Sequence, residues 1–255
     1  MKTLFSKDFV IDDFEDLKLK AKNYVNECLS QQHKLAMSSI EEYQKFKPET
    51  VHLEDLDFYT RNSYDFKYMH SLNVSQNCIK LAKIEGNVSV QVMELIGILH
   101  DIAYFGCSYN KHGIVSAQYS EAFLHRESSL DSNDIRKIGK IISAHYPEDN
   151  NIKCFCWGNN LSLEEVLIVE ADFLDKCSLK NGVRILLECG SKKCDFKDAV
   201  YCFEKKMVTR CRDMLNCSER DENCCCTDSF YKLLERQLKY NESLVLDLKK
   251  QTGME

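Results

Sequence analysis

The segment VMELIGILHD, residues 92–101, is a mainly apolar run that ends in a histidine and an aspartate, and it is the most informative part of this chain. Its apolar residues recur at helical spacing, and the run is typical of a buried helix with Asn87 or Ser89 as its N-cap. The helix runs directly into His100 and Asp101. An ionisable group in a protein core costs several kcal/mol unless it is paired or bound to a metal. We therefore expect a metal site where this helix ends.

Two histidines stand in helical segments on either side of this stretch. His70 lies in DFKYMHSLNVSQNCIKLAKI, residues 65–84, which ends at Gly86. We expect the inward face of that segment to carry Met69, Leu72, Ile79 and Ala82. His112 stands at or near the start of HGIVSAQYSEAFL, residues 112–124. Both histidines therefore belong to predicted helices.

A third histidine and an aspartate follow downstream. Ile135, Ile138, Ile142 and His145 follow one another at spacings of three, four and three residues, which places them on one face of a predicted helix. His145 is the last inward position of that helix. The capping box Ser162-x-x-Glu165 then starts the helix VLIVEADFLDK, residues 166–176. Asp172 falls among the apolar residues of that helix, which is an unfavourable place for a carboxylate that has no partner.

The remainder of the chain also shows helical periodicity. One amphipathic helix is predicted over about residues 14–43, and two more follow Gly190, over residues 199–215 and 229–248. A cysteine-rich segment at 217–227 joins the last two as a loop. No segment shows the strict alternation of a strand, so we expect strands to be minor or absent.

The fourteen cysteines allow two interpretations. Cys189, Cys194 and the triplet at 224–226 leave a zinc site open, but their spacing lacks the repeated pairs of a zinc knuckle. Reduced thiols in a cytosolic protein are the favoured interpretation.

Composition narrows the range of partners. The formal net charge is −6 and the lysines are scattered, which argues against a nucleic acid polymer. The first residues contain no apolar signal-peptide region, and no stretch approaches the roughly 18 apolar residues of a membrane span. We therefore expect a cytoplasmic protein with neither a nucleic acid polymer nor a membrane as its partner. The sequence leaves the oligomeric state open.

Imidazole and carboxylate groups together suit divalent manganese, iron, cobalt, nickel or zinc. Four residues are enough for one ion with open positions for water or substrate: His70, His100, Asp101 and Asp172. A second ion is accommodated when two more histidines join them: His112 and His145. A two-metal site generates a hydroxide nucleophile at neutral pH and neutralises the charge that builds on a phosphoryl group. The residues therefore predict one or two transition-metal ions and hydrolysis at phosphorus.

The order of these residues resembles the H…HD…D motif of the HD-domain superfamily of metal-dependent phosphohydrolases. The matching pieces are YMHSLNV around His70, ELIGILHDI around His100 and Asp101, and VEADFLDK around Asp172. HGIVSA and IISAHY resemble the additional histidine segments of members that hold two metals. The resemblance covers about residues 60–190 and implies an all-α bundle of five or more helices around the site.

The resemblance also implies a domain organisation. We predict an N-terminal helical extension over residues 1–60, an HD-domain core over residues 61–190, and a C-terminal helical extension over residues 191–255 that packs on the core.

The predicted activity is that of a metal-dependent phosphohydrolase, which cleaves a small phosphate ester of nucleotide type with a metal-activated hydroxide. Asp101 is the central catalytic residue, and Lys111 and Arg184 are the candidate cations for the phosphate. Two alternatives stay open: a di-iron oxygenase that uses the same ligands, and a non-catalytic metal-binding or scaffold protein.

Overall fold

The computed structural model describes residues 1–46, 64–146, 161–218 and 226–254. The regular structure of these residues is helical, apart from isolated bridges that pair Lys2 with Ser162 and Ser6 with Val88. The all-α class predicted from periodicity is therefore confirmed. Most of the predicted loop at 217–227 lies outside the described residues.

The described residues divide into two compact units. The N-terminal unit comprises residues 2–46, 64–146 and 162–169. The C-terminal unit comprises residues 170–218 and 226–254, together with Met1 and Leu161. The predicted boundaries near residues 60 and 190 stay predictions.

The N-terminal unit is built around one short helix. Its elements are α1 (Phe14–Phe46), α2 (Tyr64–Glu85), α3 (Val90–Leu99), a 3-10 turn (Tyr109–Lys111), α4 (His112–Glu127), α5 (Ser132–Ala144) and the first half of α6 (Leu163–Lys176). Helix α3 packs against α1, α2, α4 and α5, and seven of its ten residues are buried. Ser89 is its N-cap, and the Ser89 hydroxyl accepts a hydrogen bond from the Val92 N–H at 3.4 Å. The apolar stretch at residues 92–101 therefore lies at the centre of the unit.

Helices α2 and α3 approach each other closely at Gly97. A Cβ atom at this position would lie 2.4 Å from the Cα of Ser75, so no larger residue fits without moving a backbone. The Ser75 hydroxyl also donates a hydrogen bond to the Glu94 carbonyl at 3.0 Å. This approach places the site-bearing end of α3 beside α2.

The inward face of α2 differs from the predicted one. Met69 is 45% exposed, whereas Ala82 is buried as expected. Four of the eight buried residues of α2 are polar; the eight are Lys67, His70, Ser71, Val74, Ser75, Cys78, Leu81 and Ala82. Hydrophobicity alone selects the wrong side here because the close helix contact needs small residues and the site needs ionisable ones.

The N-terminal segment is attached to the start of α6. The Glu164 carboxylate accepts hydrogen bonds from the N–H groups of Leu4 and Phe5, each at 2.8 Å. The capping box is also confirmed, because the Ser162 N–H donates to Glu165 at 2.8 Å and the Glu165 N–H donates to the Ser162 hydroxyl at 3.3 Å. The capping-box bonds satisfy N–H groups at the start of α6 that the helix itself leaves unpaired, and the Glu164 bonds satisfy two N–H groups of the N-terminal segment.

A Glu164→Ala substitution is expected to lower the free energy of unfolding by about 2 kcal/mol. The reason is that two N–H groups lose a charged acceptor, and one of them belongs to the buried Phe5. Urea denaturation followed by circular dichroism measures the change. Glu27→Ala, at an exposed position of α1, is the control, and an equal effect of both substitutions would contradict the prediction.

The C-terminal unit contains the end of α6 followed by α7 (Leu179–Ser191), α8 (Phe196–Phe203), a π-helical segment (Glu204–Thr209), α9 (Arg210–Ser218) and α10 (Asp228–Thr252). Its core is a cluster of buried residues: Ile185, Cys189, Phe203, Met207, Val208 and Val245. The helix predicted over residues 199–215 is thus present as α8 and α9 with a π-helical segment between them. Helix α7 was not predicted, and its sequence contains two glycines, which lower helix propensity. Among the described helices, none has the length and apolar character needed to cross a membrane.

Candidate metal centre

A compact turn carries the chain from α3 to the helix that His112 opens. The Tyr104 N–H donates to the Asp101 carbonyl at 3.0 Å, and the Ala103 N–H donates to the hydroxyl of Ser116 at 3.1 Å. Ser116 lies on α4 and is fully buried, so the turn is tied to that helix. The short connection after Asp101 therefore brings His112 back to the end of α3.

The start of α4 meets the end of α5 at a second close contact. A Cβ atom at Gly113 would lie 2.6 Å from the carbonyl oxygen of Tyr146. The ring centroids of His112 and His145 are consequently only 5.1 Å apart. His145 follows the end of α5, and the isoleucines that predicted its inward position are all buried: Ile135, Ile138 and Ile142.

The Asp101 carboxylate lies at the centre of four imidazole rings. Its Oδ2 atom is 3.4 Å from His70 Nε2 and 3.6 Å from His100 Nε2. Its Oδ1 atom is 3.4 Å from His112 Nε2 and 3.3 Å from His145 Nε2. None of the five residues is more than 5% exposed. The structure thus brings together five residues that the sequence suggested as metal ligands: His70, His100, Asp101, His112 and His145.

Backbone carbonyls orient two of these rings. His100 Nδ1 is 2.9 Å from the Gly97 carbonyl, and His145 Nδ1 is 2.6 Å from the Ile142 carbonyl. Because a carbonyl oxygen only accepts hydrogen bonds, each Nδ1 must carry the proton, and each Nε2 is directed at the site. In the neutral rings, these Nε2 lone pairs face an anionic carboxylate, an arrangement that a bound cation stabilises. The donor set therefore fits a divalent transition metal.

Lys67 is part of this cluster and was not found from the sequence. Its Nζ atom is 2.7 Å from Asp101 Oδ2 and 3.4 Å from the centroid of the Tyr104 ring, and the residue is 8% exposed. Lys67 precedes His70 by three residues and so shares its helical face, which is the signal that sequence inspection could have used. Burial acts to raise the pKa of Asp101, whereas the neighbouring Lys67 ammonium group acts to lower it, and that pKa lies well below its usual range.

Asp172 lies in α6 and belongs to the C-terminal unit. It is 5% exposed, and its Oδ2 atom accepts a hydrogen bond from Lys176 Nζ at 2.6 Å. The hydrogen bond from Lys176 agrees with the expectation that a buried carboxylate in this apolar helix has a partner. Its role as a metal ligand stays a prediction.

The two cations predicted to bind phosphate lie in different units. Lys111 is exposed and ends the 3-10 turn directly before His112. Arg184 lies on α7, where it donates hydrogen bonds to Asn181 at 3.0 Å and to Glu188 at 3.3 Å. Phosphate binding by either residue stays a prediction.

The described cysteines are thiols. Burial, followed by the neighbouring thiols of Cys202 and Cys194, raises the pKa of Cys189 to about 11. Within the described part of the chain, the side-chain groups that could hold a metal contain no cysteine. Cys224 and Cys225 lie outside the described residues, and the interpretation of the cysteines as ordinary thiols stays a prediction.

The fold and the site together define a helical domain built around a buried His–Asp pair. Residues 68–176 match the family model described as HD domain, so this segment is similar to the proteins of the HD-domain superfamily. The members of this superfamily are generally metal-dependent phosphohydrolases.

A solved structure shares the fold. The crystal structure of Bacillus subtilis YpgQ in complex with ADP is similar with a TM-score of 0.52 at 14% sequence identity. The similarity covers 92% of this chain and 96% of the YpgQ chain. No curated protein matches the sequence.

Proposed function

We propose that this chain is a metal-dependent phosphohydrolase that cleaves a small phosphate ester of nucleotide type. The observation that carries the proposal is the convergence of four imidazole Nε2 atoms on the two oxygens of Asp101. The activity typical of the HD-domain superfamily supports the reaction class. The ADP in the YpgQ structure supports a nucleotide as the phosphorylated ligand.

The two oxygens of Asp101 suggest how metal ions would be held. His70 and His100 with Oδ2 would bind one divalent ion, for which Asp172 is the proposed further ligand. His112 and His145 with Oδ1 would bind a second. Bound in this way, divalent ions supply Lewis acidity and a nucleophile generated from water.

The chain's own residues prepare the site for this chemistry. Asp101 stays ionised at neutral pH because its pKa is held low, so it contributes a negative charge that attracts the metal. The carbonyls of Gly97 and Ile142 keep two imidazoles in the required orientation. The buried apolar residues of α3 and α5 exclude bulk water from behind the ligands. Lys111 and Arg184 are proposed to bind the phosphate of the substrate.

Metal removal is expected to abolish the activity. Protein purified without oxygen is assayed against nucleoside mono-, di- and triphosphates and p-nitrophenyl phosphate esters, and phosphate release is measured. Treatment with a chelator should lower turnover by more than about 100-fold, and Mn²⁺ or Co²⁺ should restore it, because the nucleophile depends on the metal.

Two results would contradict the proposed function. One is hydrolysis that the chelator leaves unchanged. The other is a protein that contains iron and consumes oxygen but releases no phosphate from any ester in the panel, which would identify an oxygenase.

A further inference from the structure

The Lys67 ammonium group lies beside the proposed metal site, where its positive charge would repel a bound cation. The ammonium group is 2.7 Å from Asp101 Oδ2, which is the oxygen that His70 Nε2 and His100 Nε2 approach at 3.4 and 3.6 Å. A divalent ion bound by these imidazoles and by Oδ2 would lie within a few ångströms of the ammonium group. Like charges at such a distance repel strongly in a buried site, where water screens them little.

The buried environment of Lys67 holds its ammonium group next to Asp101. The residue is 8% exposed, and its Nζ atom lies over the face of the Tyr104 ring, 3.4 Å from the centroid. A buried ammonium group is stabilised by a carboxylate and by the negative face of an aromatic ring. Tyr104 and Asp101 belong to the same compact turn, so one local structure supplies both partners.

We propose that the Lys67 ammonium group is a built-in counter-cation of Asp101 and competes with the metal for the Oδ2 side of the carboxylate. The inference rests on the proposed metal site. Without metal, Lys67 neutralises the buried carboxylate and keeps the cluster of histidines assembled. When metal binds, the flexible lysine side chain must leave Oδ2, and this displacement lowers the affinity for the ion. The Oδ1 side, with His112 and His145, has no such competitor among the contacts of Asp101 in the described residues.

Lys67→Gln tests the competition, because glutamine keeps a hydrogen-bond donor and removes the charge. Metal-free protein is titrated with Mn²⁺ or Co²⁺ in a calorimeter at one pH and without substrate. The ion on the Oδ2 side is the weaker of the two in the wild type, and we expect Lys67→Gln to bind that ion roughly tenfold more strongly, or more, with the Oδ1 ion little changed. Lys67→Arg keeps the charge and should bind as the wild type does. Lys80→Gln, at an exposed position of the same helix, is the matched control and should also leave the affinity unchanged.

A second measurement distinguishes competition from general loosening of the site. Without metal, Lys67→Gln should melt at a lower temperature than the wild type, because Asp101 loses its charge partner. With saturating metal, its melting temperature should rise by more than that of the wild type. If the metal-free variant does not fold, protein refolded with metal is titrated with a chelator of known affinity, and the same tighter binding is expected.

The proposal is overturned if Lys67→Gln binds metal no more tightly than the wild type, or if neither protein binds metal. Because substrate is absent throughout, these results are separate from the test of the activity. A chain that binds metal as described here but releases phosphate from no ester would refute the proposed function and leave the role of Lys67 standing.

Discussion

An Asp101→Asn protein is expected to lose its metal and its turnover together. The two oxygens of Asp101 face imidazole Nε2 atoms on both sides, so the proposed ligands of either ion include this carboxylate. Asparagine has nearly the same volume but no charge. Metal affinity and phosphate release should each fall by more than about 100-fold, which exceeds the usual cost of removing a residue that only supports a ligand. Elemental analysis and the phosphate-release assay measure the two losses.

Asp131→Asn is the matched control for this substitution. Asp131 is the exposed N-cap of α5, and its carboxylate accepts hydrogen bonds from the N–H groups of Asn133 and Asp134, each at 2.8 Å. Asparagine caps helices about as well as aspartate, so this variant should keep full metal content and activity. If Asp101→Asn retains a wild-type complement of metal and turnover, Asp101 is not the centre of the site.

A Gly97→Ala substitution is expected to cost about 3 kcal/mol of unfolding free energy. The added methyl group would meet the Cα of Ser75 at 2.4 Å, and a backbone atom cannot rotate away as a side chain can. Helices α2 and α3 must therefore move apart, which opens the packing of the central helix. The same movement separates His100 from His70, whose Nε2 atoms are 3.3 Å apart, so metal affinity should fall as well. Urea denaturation and metal titration measure the two effects.

Gly190→Ala provides the comparison. Gly190 lies within α7, and its φ angle is not positive. Apart from the adjacent backbone of the helix, no atom of the described residues would lie within 4 Å of a Cβ there. Alanine in a helix is more favourable than glycine, so this variant should be as stable as the wild type or slightly more so. Equal destabilisation by the two substitutions would show that the contact between α2 and α3 is not as tight as the structure indicates.

Local patterns explain why so much of the helical structure was predictable. The N-cap at Ser89, the capping box at Ser162 and Glu165, and the row of isoleucines that ends at His145 all depend on neighbours within four residues. The H…HD…D motif likewise consists of residue types in a fixed order, so it can be found in the sequence alone. These features need no knowledge of which helices touch.

The incorrect or missing predictions concern features that are determined by contacts between segments distant in sequence. Met69 is apolar, yet it is exposed, while the polar side chains of Ser71 and Ser75 are buried. The reason is that α3 approaches this side of α2 closely through Gly97, and only small residues fit there. Hydrophobic periodicity carries no information about such a partner. Lys67 was missed for the same reason, because a lysine in a helix is ordinarily a solvated residue.

The all-α class, the similarity to HD domains and the chemical types of the candidate ligands could therefore be predicted from the sequence, because each follows from residues that are near one another or that form a motif. Only the tertiary structure decided that Asp101 has imidazoles on both of its sides and an ammonium group on one of them. Those relations join α2, α3, α4 and α5, and they depend on the close approaches at Gly97 and Gly113. Backbone distances between helices are set by packing over the whole unit, and no local pattern encodes them.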